Sequence, residues 1–416
     1  MRIWPIVLLG SLAALGAGAW RWAQDEPLAP QAAAWLQPPA PSPDSFAYYQ
    51  LLGLDAPARQ DSLVVGRQLL DAHRQWRAQH GFSEPLVQPD DERIALPRPA
   101  LCALGEPACL ARLRQDRAAL AALALQHAEL LQRYDKLLAL SDYRTLAAPS
   151  MDQPLANFTS LQQANRLRAT QALALALDGR GDQALALLQL DVYLLRGWLP
   201  RADNLILKMV LVRLLGSDLD AIAALYDAGL LPRPAALPAL SEAERSLAAA
   251  MQHEFALVGA GLLSLLDDPQ TAAELGVARW QLRWLYKPQM TVNDSLPQYL
   301  QVAQRSHLVA PAWVQTLGAA AHHEVSPWRR LRNPVGAILG DVAVPDFNRY
   351  LARLHDLDAK LALFNTLGQA VPEAHNPYQP GQRASWNGKR QAYCFNGPLA
   401  DEQGLRCLPW TPPPAQ

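Results

Sequence analysis

The chain has 416 residues, half of them hydrophobic and 18% charged, which supplies apolar material for a large core and too little charge for a disordered polyelectrolyte. Lys and Arg total 37 against 38 Asp and Glu, so there is no net field to hold a polyanion and nucleic acid is set aside as a partner.

Residues 1–20, MRIWPIVLLGSLAALGAGAW, carry no charged side chain after Arg2. At about 1.5 Å per residue, a helix of this length matches a hydrocarbon layer of about 30 Å. Arg2 lies on the side that positive charge prefers, and Trp4 and Trp20 lie near the ends, where indoles suit the interface. The segment reads as a transmembrane signal-anchor or, with Ala17-Gly18-Ala19 as a small-residue cleavage site, as a signal peptide. The first reading leaves a single-pass protein of the inner membrane with its body in the periplasm. The second leaves a soluble periplasmic protein. Residues 21–43 are rich in Pro and Ala and read as a stiff linker.

From 44 to 371 the pattern is that of an α-helical body. A short helix in DSFAYYQLLGLDA stops at Gly53, and 61–80 is a second. The stretch EPLVQPDDERIALPRPA, 84–100, holds four prolines and reads as a loop or a partly extended segment. The stretch 116–140 reads as one long helix, because Leu120, Leu123, Leu130, Tyr134 and Leu137 recur mostly at helical spacings. His127 falls on that stripe and is expected to be a core histidine. Near 160–230, Asp178-Gly179-Arg180-Gly181-Asp182 marks a turn between helices, with Gly179 as a left-handed cap and Asp182 as the next N-cap. Gly216 and Asp218 repeat that signal one unit later. The two units resemble stacked hairpins of the tetratricopeptide type, although plain bundle packing accounts for them as well.

Residues 240–325 again read as helical. Trp280 and Trp284 lie one turn apart beside Arg279, Arg283 and Lys287, and Trp328 precedes Arg329, Arg330 and Arg332. The tryptophans are expected to anchor the core, with the basic residues solvating an outer face. The alternative is a surface for anionic lipid headgroups or a glycan. The last helix, in PDFNRYLARLHDLDAKLALFNTL, buries Phe347, Leu351, Leu354, Leu357 and Leu361 and places His355, Asp356 and Asp358 on its more polar side.

The cysteines fall into two local pairs. Cys102 and Cys109 flank a helix-breaking Gly-Glu-Pro, and Cys394 and Cys407 share the C-terminal segment. An even count, local spacing and an export signal fit two small disulfide loops. Residues 372–416 form a β tail in this reading, with Asn387-Gly388 as a two-residue hairpin turn and the second bridge tying LRCLPW to it. The expected fold is mainly α: a helical bundle or irregular helical-hairpin array with a small disulfide-linked β-hairpin tail.

The run Asn376-Pro377-Tyr378, Gly381 and Gly397-Pro398 resembles a C-terminal segment of some bacterial envelope and pseudopilin-like proteins. Where that segment carries Asp, this chain has Asn376, and the acidic run after Gly-Pro is reduced to Asp401-Glu402. Through YYQLLGLDAP and the Cys102 region, the chain also resembles membrane-anchored helical envelope proteins of Gram-negative bacteria. That resemblance implies a location and no activity.

No G-x-S-x-G, Walker loop, dinucleotide fingerprint or H-E-x-x-H occurs in the sequence. Three histidine–carboxylate neighbours remain: His253-Glu254, His322-His323-Glu324 and His355-Asp356. Adjacent helical residues point about 100° apart. Only His322, His323 and Glu324, near a helix end before Ser326-Pro327, stand as candidates for acid–base or metal chemistry. No cofactor is expected. The leading expectation is an envelope protein that mediates interaction or assembly with another envelope protein and reaches the membrane through its N-terminal segment. The alternative is a hydrolase acting on cell-wall or glycan material.

Overall fold

The computed structural model describes residues 16, 18, 20–37, 44–80, 93–267, 276, 278–317, 325–343, 346–369 and 373–411. The fold is mainly α with a small disulfide-linked β tail. Among the described residues no helix is long and apolar enough to cross a membrane, and most of the stretch 1–20 lies outside them.

Part of the stretch read as a linker is folded onto the body. Pro30–Leu36 forms α1, with proline in the first turn, where a missing N–H leaves no bond unmade. Ala32 is buried, and Trp35 meets Phe255 edge to face at 6.1 Å. Leu28 N donates to Gln289 Oε1 at 2.9 Å and Ala29 N to Asn293 Oδ1 at 2.8 Å. Asp25 in turn accepts from Gln289 N and Met290 N. Residues 25–36 are therefore a strap across a distant helix rather than a free spacer. The prolines of 38–43 lie outside the described residues.

Phe46–Leu52 (α2) ends at Gly53 and packs on Ser62–His80 (α3). After Pro107–Leu113 (α4), the stretch expected as one helix is two, Arg117–Gln126 (α5) and Ala128–Ala139 (α6). The break is at His127, whose backbone leaves helical geometry while its ring Nδ1 lies 3.1 Å from Ala95 O. His127 is buried, as a core residue should be. From α6 the buried Arg133 donates to the carbonyls of Leu54, Ala56, Pro57 and Gln60 and pairs with Glu129 at 2.6 Å. One guanidinium thus satisfies the loop that joins α2 to α3.

Phe158–Leu177 (α7), Gly181–Trp198 (α8) and Leu205–Asp227 (α9) form the centre of the bundle. Asn157 caps α7 and Asn204 caps α9 through side-chain oxygens. Gly179 takes φ +77° in the turn between α7 and α8, whereas Asp182 lies inside the first turn of α8 and does not cap it. The second hairpin is absent: α9 runs unbroken through Gly216 and Asp218. Leu214, Leu215, Leu219 and Ile222 keep its face buried across the glycine, so tertiary packing carries the helix past a local stop signal.

The remaining helices are Glu242–Arg245 (α10), Ala248–Ser264 (α11), Arg279–Leu285 (α12), Pro288–Arg305 (α13), Ala310–Thr316 (α14), Pro327–Arg332 (α15), Pro334–Ala343 (α16) and Asn348–Phe364 (α17). α11 packs on α13, α1 lies against both, and α17 packs on α9. Two expectations fail here. His355 and Asp356 on α17 are buried, not on a polar face. Trp280 and Trp328 are 66% and 64% exposed, and Trp284 is 42% exposed, so these indoles are not core anchors. The reason is local: α12 buries only Leu282, and α15 buries no side chain.

In the tail, His375–Asn376 (β1) pairs with Gln379–Arg383 (β2), and Ser385–Asn387 (β3), Ala392–Cys394 (β4) and Cys407–Pro409 (β5) form an antiparallel sheet in that order. Asn387 pairs with Ala392, so residues 388–391 form a longer loop in place of the expected two-residue turn. Asn387 Oδ1 accepts from Lys389 N and Arg390 N to shape it. Cys394 and Cys407 are bridged directly across β4 and β5, and Cys102 is bridged to Cys109.

Candidate functional site

Both disulfide-bearing segments seat on α9 at positions without a side-chain obstacle. A Cβ on Gly105, inside the first loop, would come within 2.5 Å of Asp220 Cβ, and one on Gly216 of α9 within 2.6 Å of Leu405 Cδ2 in the tail. These close approaches leave a cleft of about 350 Å³ between the two loops. Its charged lining comprises Arg166, Arg213, Lys389 and Arg390 against Glu106 and Asp220. Asp220 is already paired with the buried Lys360, which also donates to Cys407 O at 2.6 Å. Arg166 donates to Leu101 O at 2.6 Å, and burial together with the nearby Arg213 lowers its pKa. Two guanidiniums facing one cleft repel each other, and an anion between them relieves that repulsion.

Beneath this cleft, one polar side chain from each of four helices meets in the bundle core. They are Tyr134 on α6, Asn165 on α7, Asp191 on α8 and Asp218 on α9. Tyr134 OH donates to Asp191 Oδ2 at 2.8 Å, and Asn165 Nδ2 reaches Asp218 Oδ1 at 2.7 Å and Asp191 Oδ2 at 3.2 Å. Burial raises the pKa of both acids, and the Asp191 carboxylate raises Asp218 further. Both effects disfavour the charged form of Asp218. Asn165 also lines the cleft, so it is the one group shared by the layer and the opening above it.

The tail is held by a second buried network. Tyr378 OH donates to Asp356 Oδ1 at 2.5 Å, and Arg406 reaches the same oxygen at 3.2 Å. Burial pushes the Asp356 carboxyl up to about 6 against the pull of Arg406. His355, its ring 4.9 Å from that of Trp313, is pushed down to about 4 by burial and then by Arg245. Asn376 is buried and structural. Its Nδ2 donates to Gln382 Oε1 and Asn396 O, and its Oδ1 accepts from Tyr378 N.

Of the residues singled out from sequence, the four cysteines form the two bridges that wall the cleft. His322, His323 and Glu324 lie outside the described residues. His253 and Glu254 do not converge on a third ligand, and among the described residues no cluster of metal-ligating side chains occurs. Sequence reasoning missed Arg166, Arg213 and the layer around Asn165. The layer had a signal: Asp191 falls in the buried stripe of Leu188, Val192 and Leu195, where a helix facing a core should carry an apolar residue.

The cleft is lined by guanidiniums, an ammonium, side-chain amides, the hydroxyl of Ser217 and the carboxylates of Glu106 and Asp220, with no imidazole among the described residues. This set suits carboxylate or phosphate oxygens, which arginine grips through paired N–H groups. The two core acids stay out of its reach, with Asp191 4% and Asp218 0% exposed. Compared with known proteins, the chain matches no family model, no curated protein and no solved structure.

Proposed function

We propose that the protein is an envelope-located helical protein for interaction or assembly, and that the cleft on α9 receives an acidic segment of an envelope partner. The observation that carries this reading is the set of four cations on a cleft where Asp220 is already neutralised by Lys360. Its walls are rigid because each is closed by a disulfide, a bond that persists in oxidising compartments. That chemistry and the uncharged stretch 3–20 support a body in the periplasm, attached to the inner membrane by its N-terminal segment or released by cleavage after it. The resemblance to membrane-anchored envelope proteins points to the same place. The hydrolase alternative has less behind it, because Asp220, the carboxylate one turn from Ser217, is tied up in an ion pair with the buried Lys360.

A photo-crosslinking amino acid at Ser217 in the full chain, activated in intact envelopes, tests the reading. The expected result is a discrete adduct with a protein that carries an acidic segment, lost when Arg213→Glu and Arg390→Glu are combined. An adduct indifferent to both charge reversals, or no adduct from any cleft position, overturns it.

A further inference from the structure

At the corner formed by α12, α15 and α16, apolar side chains face outward beside arginines. Trp280, Trp284 and Leu285 project from α12, Trp328 and Leu331 from α15, and Ile338 and Val342 from α16, with Val342 79% exposed. The corner is rigid beneath these side chains. Leu282 and Tyr286 pack with Val335 and Leu339, and the buried Lys287 donates to Trp284 O at 2.7 Å, closing the C-terminal end of α12. Three large indoles held in water on a fixed scaffold forgo the stabilisation that burial gives aromatic surface.

Charge at the corner favours cations. Glu26 is taken up by Arg329 at 2.7 Å, and Asp341 by Arg330 at 2.8 Å. Arg279 donates only to a backbone carbonyl, that of Leu266, and Arg21 and Arg283 have no acidic partner among the described residues. Indoles and arginines on one surface are the composition of a membrane interface: the rings sit at the headgroup level and the guanidiniums meet lipid phosphates.

The corner also receives the end of the uncharged stretch. Residues 20–23 are helical, and Trp22 meets Trp328 edge to face at 4.8 Å. Arg332 donates to Gln24 O at 2.7 Å. A chain that leaves a bilayer at Trp20 is thereby fixed to α15 within a few residues.

From these observations we propose that the α12–α15–α16 corner lies in the headgroup layer of a bilayer containing anionic phospholipid, so the body rests on the membrane surface instead of standing off it. The inference rests on the membrane location given under Proposed function.

Hydrogen exchange tests it. The full chain is placed in nanodiscs of phosphatidylglycerol with phosphatidylcholine, and in discs of phosphatidylcholine alone. Amides of 279–285 and 327–342 should exchange about fivefold slower in the anionic discs, the factor that one engaged arginine supplies, while those of α8 stay unchanged. The variant Trp280→Ser/Trp284→Ser/Trp328→Ser should lose this difference and keep the exchange of α8. Equal exchange of the corner in both discs overturns the docking face while leaving the anchor standing. A chain that does not co-elute with discs overturns the membrane location and the docking face together.

Discussion

At the centre of the bundle Asp218 is wholly buried, whereas at the corner of α12 and α15 Trp280 is two-thirds exposed. Each residue sits where the other would be expected. The core acids are held by the donors that Asn165 and Tyr134 supply. The exposed indole has no such local compensation. The hydrogen bonds donated by Asn165 and Tyr134 tie the buried acids into the fold. An exposed apolar cluster without a cover points outside it.

The largest effect is expected in the core. Asn165→Ala removes the donor shared by two acids and should lower the unfolding free energy by about 3–5 kcal/mol in urea titrations, the range for an orphaned buried charge. Asp218→Asn sharpens the same point: burial and the neighbouring Asp191 disfavour the charged form of Asp218, so the neutral amide should cost less than about 1.5 kcal/mol. A large loss there would mean that the carboxylate is ionised.

Next comes the tail. Replacing Cys394 and Cys407 with Ser should cost about 3 kcal/mol in the same titration, from the entropy returned to the unfolded chain.

A buried cation on α9 gives the third test. Lys208 donates to Leu199 O at 2.7 Å, and burial pushes its pKa down to about 7. Between pH 7 and about 10.4 the unfolded chain binds a proton that the folded chain has released. This contribution to stability is therefore full above about pH 10 and is lost as pH falls toward 7, with a slope of at most about 1.4 kcal/mol per pH unit. Lys208→Met should flatten the rise in melting temperature from pH 7 to 9.

The smallest effect belongs to the corner. Trp280→Ser should change stability by less than about 0.5 kcal/mol in water, because two-thirds of the side chain is exposed. Strong destabilisation would erase the contrast with the core.

Local signals carried much of the fold. The turn at Gly179, the apolar face of α17 and both cysteine pairings follow from spacing and residue type, and the structure has them. What was not legible depends on distant partners. The strap 25–36 is fixed by Gln289 and Asn293, far along the chain, and the break at His127 by a carbonyl of the preceding loop. Trp280 and Trp284 at helical spacing read equally as core or surface until the neighbours of α12 are known. The cleft was hidden for the same reason, since Arg166, Arg213 and Arg390 come together only after the tail folds onto α9.

The cleft depends on two bridged loops and hence on an oxidising space around the body. Mass spectrometry of a non-reduced digest, taken from intact envelopes alkylated at the moment of lysis, addresses this directly. The account predicts peptides joined through Cys102–Cys109 and Cys394–Cys407, with no alkylated cysteine. Recovery of all four cysteines in alkylated form without reductant would contradict it.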